Sequence, residues 1–155
     1  MIDWLGAMGA GVLGALAMTL MTDASRMIGM IQANLSRYQG CIVLGRSEGT
    51  APLLAGLGAH LAMGAVLAIG YALVFALLWG EATWWNGAIT GAVHWLPAAL
   101  GFPALDAMNP CVREGRMPAF GAFGRGYGPM MVLGLLMGHV VYGTIVGALY
   151  TVPVR

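Results

Sequence analysis

The sequence contains no lysine and little charge of either sign. Seven arginines and six acidic residues make up 8% of its 155 residues, against about 25% charged residues in a soluble domain. A chain this poor in charge cannot cover a water-facing surface. That excludes a soluble globular domain, a disordered chain and a nucleic-acid-binding protein. The net charge of +1 is too small to attract an acidic partner. Cysteine is nearly absent too. Cys41 and Cys111 fall in separate loops without CxxC spacing, which excludes zinc and thioredoxin motifs. There is no HExxH motif, no phosphate-binding glycine loop and no nucleophile beside a base, so independent catalysis is not expected. The N-terminus lacks the basic start of a signal peptide, and its first apolar stretch is long, so it reads as a retained helix.

Apolar residues dominate instead, at 59%. A membrane helix needs about 20 mostly apolar residues, and four stretches qualify: about 4–31, 52–79, 84–108 and 129–150. Pro52 and Pro129 sit at helix starts, where a missing N–H costs nothing. Pro97 and Pro103 fall inside the third span, which should kink or loosen there. The expected fold is an all-α membrane protein, a single four-helix bundle.

The arginines give an orientation. Arg26, Arg37 and Arg46 lie in the first connection, Arg113, Arg116 and Arg125 in the third, and only Arg155 on the other side. The positive-inside rule puts those loops in the cytoplasm and both termini outside, as in a multi-pass protein of the bacterial inner (cytoplasmic) membrane. Trp4, Trp79, Trp84, Trp85 and Tyr150 fall together at the outer interface as an aromatic belt. The third loop is rich in Arg, Gly and Phe. It suits a segment lying on the headgroups, with arginines on phosphates and phenylalanines in the interface, or a flexible connector. Asp23 and Arg26 are spaced to pair on one helix face, and an Asp106–Arg26 contact would latch the bundle.

Small residues recur at four-residue spacing: Gly6, Ala10 and Gly14; Gly64 and Ala68, with Gly56 two turns before; Gly87 and Gly91; Gly134 and Gly138; Gly143 and Gly147. Each helix thus offers a groove to a neighbour. His60-x3-Gly64-x6-Tyr71 is matched by His139-x3-Gly143-x6-Tyr150, which would fit two duplicated helical hairpins.

Ionisable residues at membrane depth are functional candidates. His60, His94 and His139 are the only histidines. Rises of 1.5 Å per residue put them about 12–15 Å into three different spans. Several readings are open. The histidines can glue helices through a tyrosine such as Tyr71 or Tyr142. Two of them can hold haem b axially, as His60 with His139 or either with His94. All three suit zinc or copper. One alone can ligate a chlorin-type pigment. Scattered methionines read as packing filler, with Met63 one turn from His60 a minor ligand candidate.

The stretches GLGAHLAMGAVLAIGYALVF, GAITGAVHWL and GHVVYGTIVGALY resemble a family of small bacterial four-helix integral membrane proteins of unassigned function, although the third loop here is longer. The resemblance implies fold and location, not activity. The expected function is an accessory, non-catalytic subunit of a larger respiratory or photosynthetic membrane complex. Its partners would be other membrane subunits and lipids, with Arg26, Arg37, Arg46, Arg113, Arg116 and Arg125 at the lipid or subunit interface and no cofactor. The alternatives are a haem b electron carrier using the histidines, and a small transporter.

Overall fold

The computed structural model describes residues 2–151, so Arg155 lies outside it. All its regular elements are helical. Four helices are long and apolar enough to cross a membrane: α1 (Trp4–Met27), α3 (Thr50–Val74, continued by a π-helical turn, Phe75–Trp79), α4 (Trp84–Met108) and α6 (Pro129–Leu149). Two short helices lie at the arginine-rich end, α2 (Leu35–Leu44) and α5 (Pro110–Arg113).

Local chemistry sets the boundaries. The Asp3 carboxylate accepts from the Gly6 N–H and caps α1. Thr83 and Asn86 cap α4 reciprocally. Helix α1 stops at Met27 rather than continuing to Ile31. Gly29 takes φ +76°, and the chain turns back so that Ile31 packs beside Phe102 and Phe120. Helix α4 runs on through Pro97 and Pro103. Helix α2 was not legible as a helix in the first connection. Asn34 caps it, and Gly45 ends it in the left-handed conformation.

The four spans form an open arc. Helix α3 packs on α1, α1 on α6 and α6 on α4, whereas α3 and α4 meet at only a few residues. Glycines set the close crossings. A Cβ on Gly87 would meet the Gly143 carbonyl, and one on Gly143 the Gly87 carbonyl, so α4 and α6 touch backbone to backbone. Gly11 and Gly64 do the same for α1 and α3. Gly6 and Gly134 do not serve this way. Gly6 faces its own cap, Asp3, and Gly134 makes only ordinary contact with Ile31.

At the other end Trp4, Trp84 and Trp85 are exposed as a belt requires. Tyr150 is not part of that belt. It is buried and stacked on Phe75 in the core. The third connection is also not a peripheral strip. Phe120 is fully buried between Phe102, Tyr38 and Tyr127, with ring centroids 4.6–4.7 Å apart. Cys41 of α2 and Cys111 of α5, 70 residues apart, form a disulfide that joins the two connections.

A histidine-lined cavity as the candidate functional site

The gap between α3 and α4 holds a cavity of about 350 Å³. Helix α2 closes it from the arginine-rich end, and α1 and α6 form its back wall. His60, His94, His139, Gln39, Tyr38 and Tyr142 are the polar residues of its lining; the rest are apolar. No Asp, Glu or Arg side chain lines it. Met63 of α3 and Pro97 and Leu105 of α4 stand on its rim and are exposed on the outer face of the bundle, so the cavity opens sideways toward lipid.

Helix rotation therefore brings all three histidines to one cavity, with different partners. His139 Nδ1 lies 2.7 Å from the Leu135 carbonyl. A carbonyl only accepts, so Nδ1 carries the proton and Nε2 keeps a lone pair. His94 packs edge-to-face on His139 with centroids 5.2 Å apart and shares a 3.2 Å hydrogen bond with the Tyr71 hydroxyl. His60 Nδ1 lies 3.2 Å from Gln39 Nε2. The other amide atom of Gln39, Oε1, is buried without a partner. Tyr142 donates to the Gly64 carbonyl at 2.6 Å, through the space that the glycine leaves.

Among the described residues, no three His, Cys, Asp or Glu side chains are grouped closely enough to hold a metal ion. Gln39 was missed at the sequence level because α2 was. Its one available signal is its position five residues after Asn34, a capping residue.

Beneath the cavity, Asp106 organises the arginine-rich end. Its carboxylate accepts from Tyr38 Oη at 2.7 Å, Phe120 N at 3.0 Å and Gly121 N at 2.8 Å. The expected Asp106–Arg26 latch is absent. Asp106 is buried with its oxygens occupied, and Arg26 lies at the surface, 3.5 Å from Asp23. That ion pair, on one face of α1, is the expected one. Burial first and the Asp106 carboxylate second push the Tyr38 and Tyr127 phenols above their usual range.

The other arginines divide by role. Arg37 donates to the Ser47 carbonyl at 2.6 Å. Arg116 donates to the Gly45 carbonyl at 3.0 Å and pairs with Glu114. Arg37 braces the first connection, and Arg116 ties the third connection to the first. Arg125 sits 5.5 Å over the Phe123 ring. Arg46 and Arg113 are exposed at the same end, where a headgroup could meet them.

No protein-family model, curated protein or solved structure matches this chain, so its function is argued from these residues.

Proposed function

We propose that this is a membrane-embedded binding protein for a small lipid-soluble molecule, held in the histidine-lined cavity. One observation carries the reading: a cavity free of Asp, Glu and Arg opens sideways between α3 and α4 and is lined by all three histidines. Sites of this size are mostly apolar with a few convergent polar groups. Purification from native membranes in mild detergent, followed by extraction and mass spectrometry, should recover one enriched non-bulk lipid. Gly101→Phe should lose it. Gly101 lines the cavity and an added Cβ there meets nothing within 4 Å, so the bulk enters the cavity without disturbing the backbone. Recovery of bulk lipid alone from both proteins sinks the reading. A Soret band lost on His60→Ala or His139→Ala would replace it with a haem b carrier using that pair.

A second reading, an accessory subunit of a respiratory or photosynthetic complex, is favoured by Gly9, Gly58 and Gly70. An added Cβ at these positions would meet nothing, and small residues on an outer face let a further helix approach. Migration with a larger complex on native gels, lost on Gly58→Val, is the expected sign.

In both readings the bundle sits in the bacterial inner membrane with the arginine-rich end in the cytoplasm and both termini outside. The repeat supports an origin in two duplicated hairpins, since Gly64 and Gly143 occupy the close crossings of the α1–α3 and α4–α6 pairs. The Cys41–Cys111 bond lies at the arginine-rich end, and disulfides persist in oxidising compartments. With that end in the cytoplasm, acid-quenched cells alkylated under denaturing conditions should yield both cysteines as free thiols. Cysteines protected until reduction would invert the topology.

A further inference from the structure

We infer that the occupant of the cavity is a neutral ring bearing hydroxyl groups, a prenylated quinol, with its ring among the histidines and its tail leaving between α3 and α4 into lipid. This rests on the binding reading above and names its ligand class.

Three features select the class. The first is charge. With no Asp, Glu or Arg in the lining, an anionic headgroup, a fatty carboxylate or a cation would meet no permanent counter-charge there. The ligand head must be neutral.

The second is the sense of the hydrogen bonds. His139 Nε2 is an acceptor, because its Nδ1–H is committed to Leu135. Gln39 Nε2 can only donate, so His60 Nδ1 accepts from it and His60 Nε2–H is a donor, while Gln39 Oε1 has no accessible surface and is closed to a ligand. An acceptor on α6 and a donor on α3 call for a head that both donates and accepts. A hydroxyl does both, whereas an oxidised quinone or an ether only accepts.

The third is shape. Phe102, Tyr142, His94 and His139 are among the lining residues, and so many aromatic rings favour a planar ring over an aliphatic alcohol. Its 350 Å³ suits a one- or two-ring head, with the tail accommodated beyond the exposed rim at Met63 and Pro97.

The test is equilibrium binding to the purified full chain in nanodiscs, under anaerobic conditions. The probes are a short-tailed dihydroxynaphthalene, its dimethyl ether, the oxidised naphthoquinone and a fatty acid of matched length. The diol should bind at least tenfold more tightly than the ether or the quinone, and the fatty acid should not compete. His139→Phe should bring diol affinity down to that of the ether and leave ether binding unchanged. Gln39→Leu, which removes the group that fixes the His60 tautomer, should weaken diol binding in part and stands if the His139 variant does not fold. Equal binding of diol and ether, or preference for the fatty acid, overturns the quinol assignment while leaving a ligand cavity in place. Binding of none of the four, with no copurifying molecule, overturns the cavity reading as well.

Discussion

Asp106→Ala should destabilise the arginine-rich end by about 3–5 kcal/mol. The carboxylate holds three donors from two other segments, the Tyr38 hydroxyl and the Phe120 and Gly121 N–H groups. Each buried donor left unpaired costs about 1–3 kcal/mol. Alanine removes all three hydrogen bonds at once and leaves Phe120 buried in a cluster that has lost its tether. Thermal unfolding in detergent, read with wild type in the same micelle, measures the loss. Asp106→Asn should retain part of the stability, since its one carbonyl oxygen still accepts. A loss below about 1 kcal/mol for the alanine variant would mean that the carboxylate does not hold the connection in place.

The same node predicts an alkaline limit. Tyr38 and Tyr127 are held above the ordinary phenol value of 10.0 in the folded protein, by burial and then by Asp106. The unfolded chain therefore releases these protons first. Their contribution is fully present below pH about 10 and is lost as the pH rises above it. Tyr38→Phe should flatten the fall in stability across that window. An unchanged pH profile would rule out Tyr38 as its source.

The second large effect concerns the α4–α6 crossing. Gly143→Val should cost about 1–3 kcal/mol, the usual range for overpacking, or more. Its added carbon would overlap the Gly87 carbonyl, and backbone cannot yield as a flexible side-chain end can. Insertion should survive, because valine is more apolar than glycine; the fault lies in helix association. Cysteine crosslinking between the outer ends of α4 and α6 should fall while membrane fractionation stays normal. Gly58→Val is the matched control, with nothing within 4 Å of the added carbon, and should stay within about 0.5 kcal/mol in the isolated protein. Equal losses for the two variants would mean that the effect is one of helix propensity rather than the crossing.

Length and apolarity place the four spans in the sequence to within a few residues, because a bilayer demands a fixed number of apolar residues in a row. The ends of α4 and α6 carry their own signals in Thr83 and Pro129. Helix α2 left none strong enough. Its ten residues mix Ser, Arg, Gln and Gly with apolar ones, and it is held by packing on α3. The burial of Tyr150 and Phe120 was illegible for a related reason. An aromatic residue near a helix end has the same local sequence whether it faces headgroups or the core, and only the path of the chain after it decides.

The sequence by itself determined that this chain has four stretches long and apolar enough to cross a membrane, that six of its arginines fall in two of the connections, and that its only histidines lie at similar depth on three helices. Each follows from hydropathy, helical rise or counting along the chain. Tertiary structure decided which neighbours the helices chose and how each is rotated. It turned the three histidines toward one cavity, placed Gln39 beside them, took Asp106 away from Arg26 and gave it to Tyr38 and the Phe120 backbone, and left α3 and α4 apart. The reason is that glycines occur on several faces of every span. With many faces able to dock, the close crossings at Gly11–Gly64 and Gly87–Gly143 are selected by the fit of whole helix pairs, a property of pairs of segments that no single stretch of sequence carries.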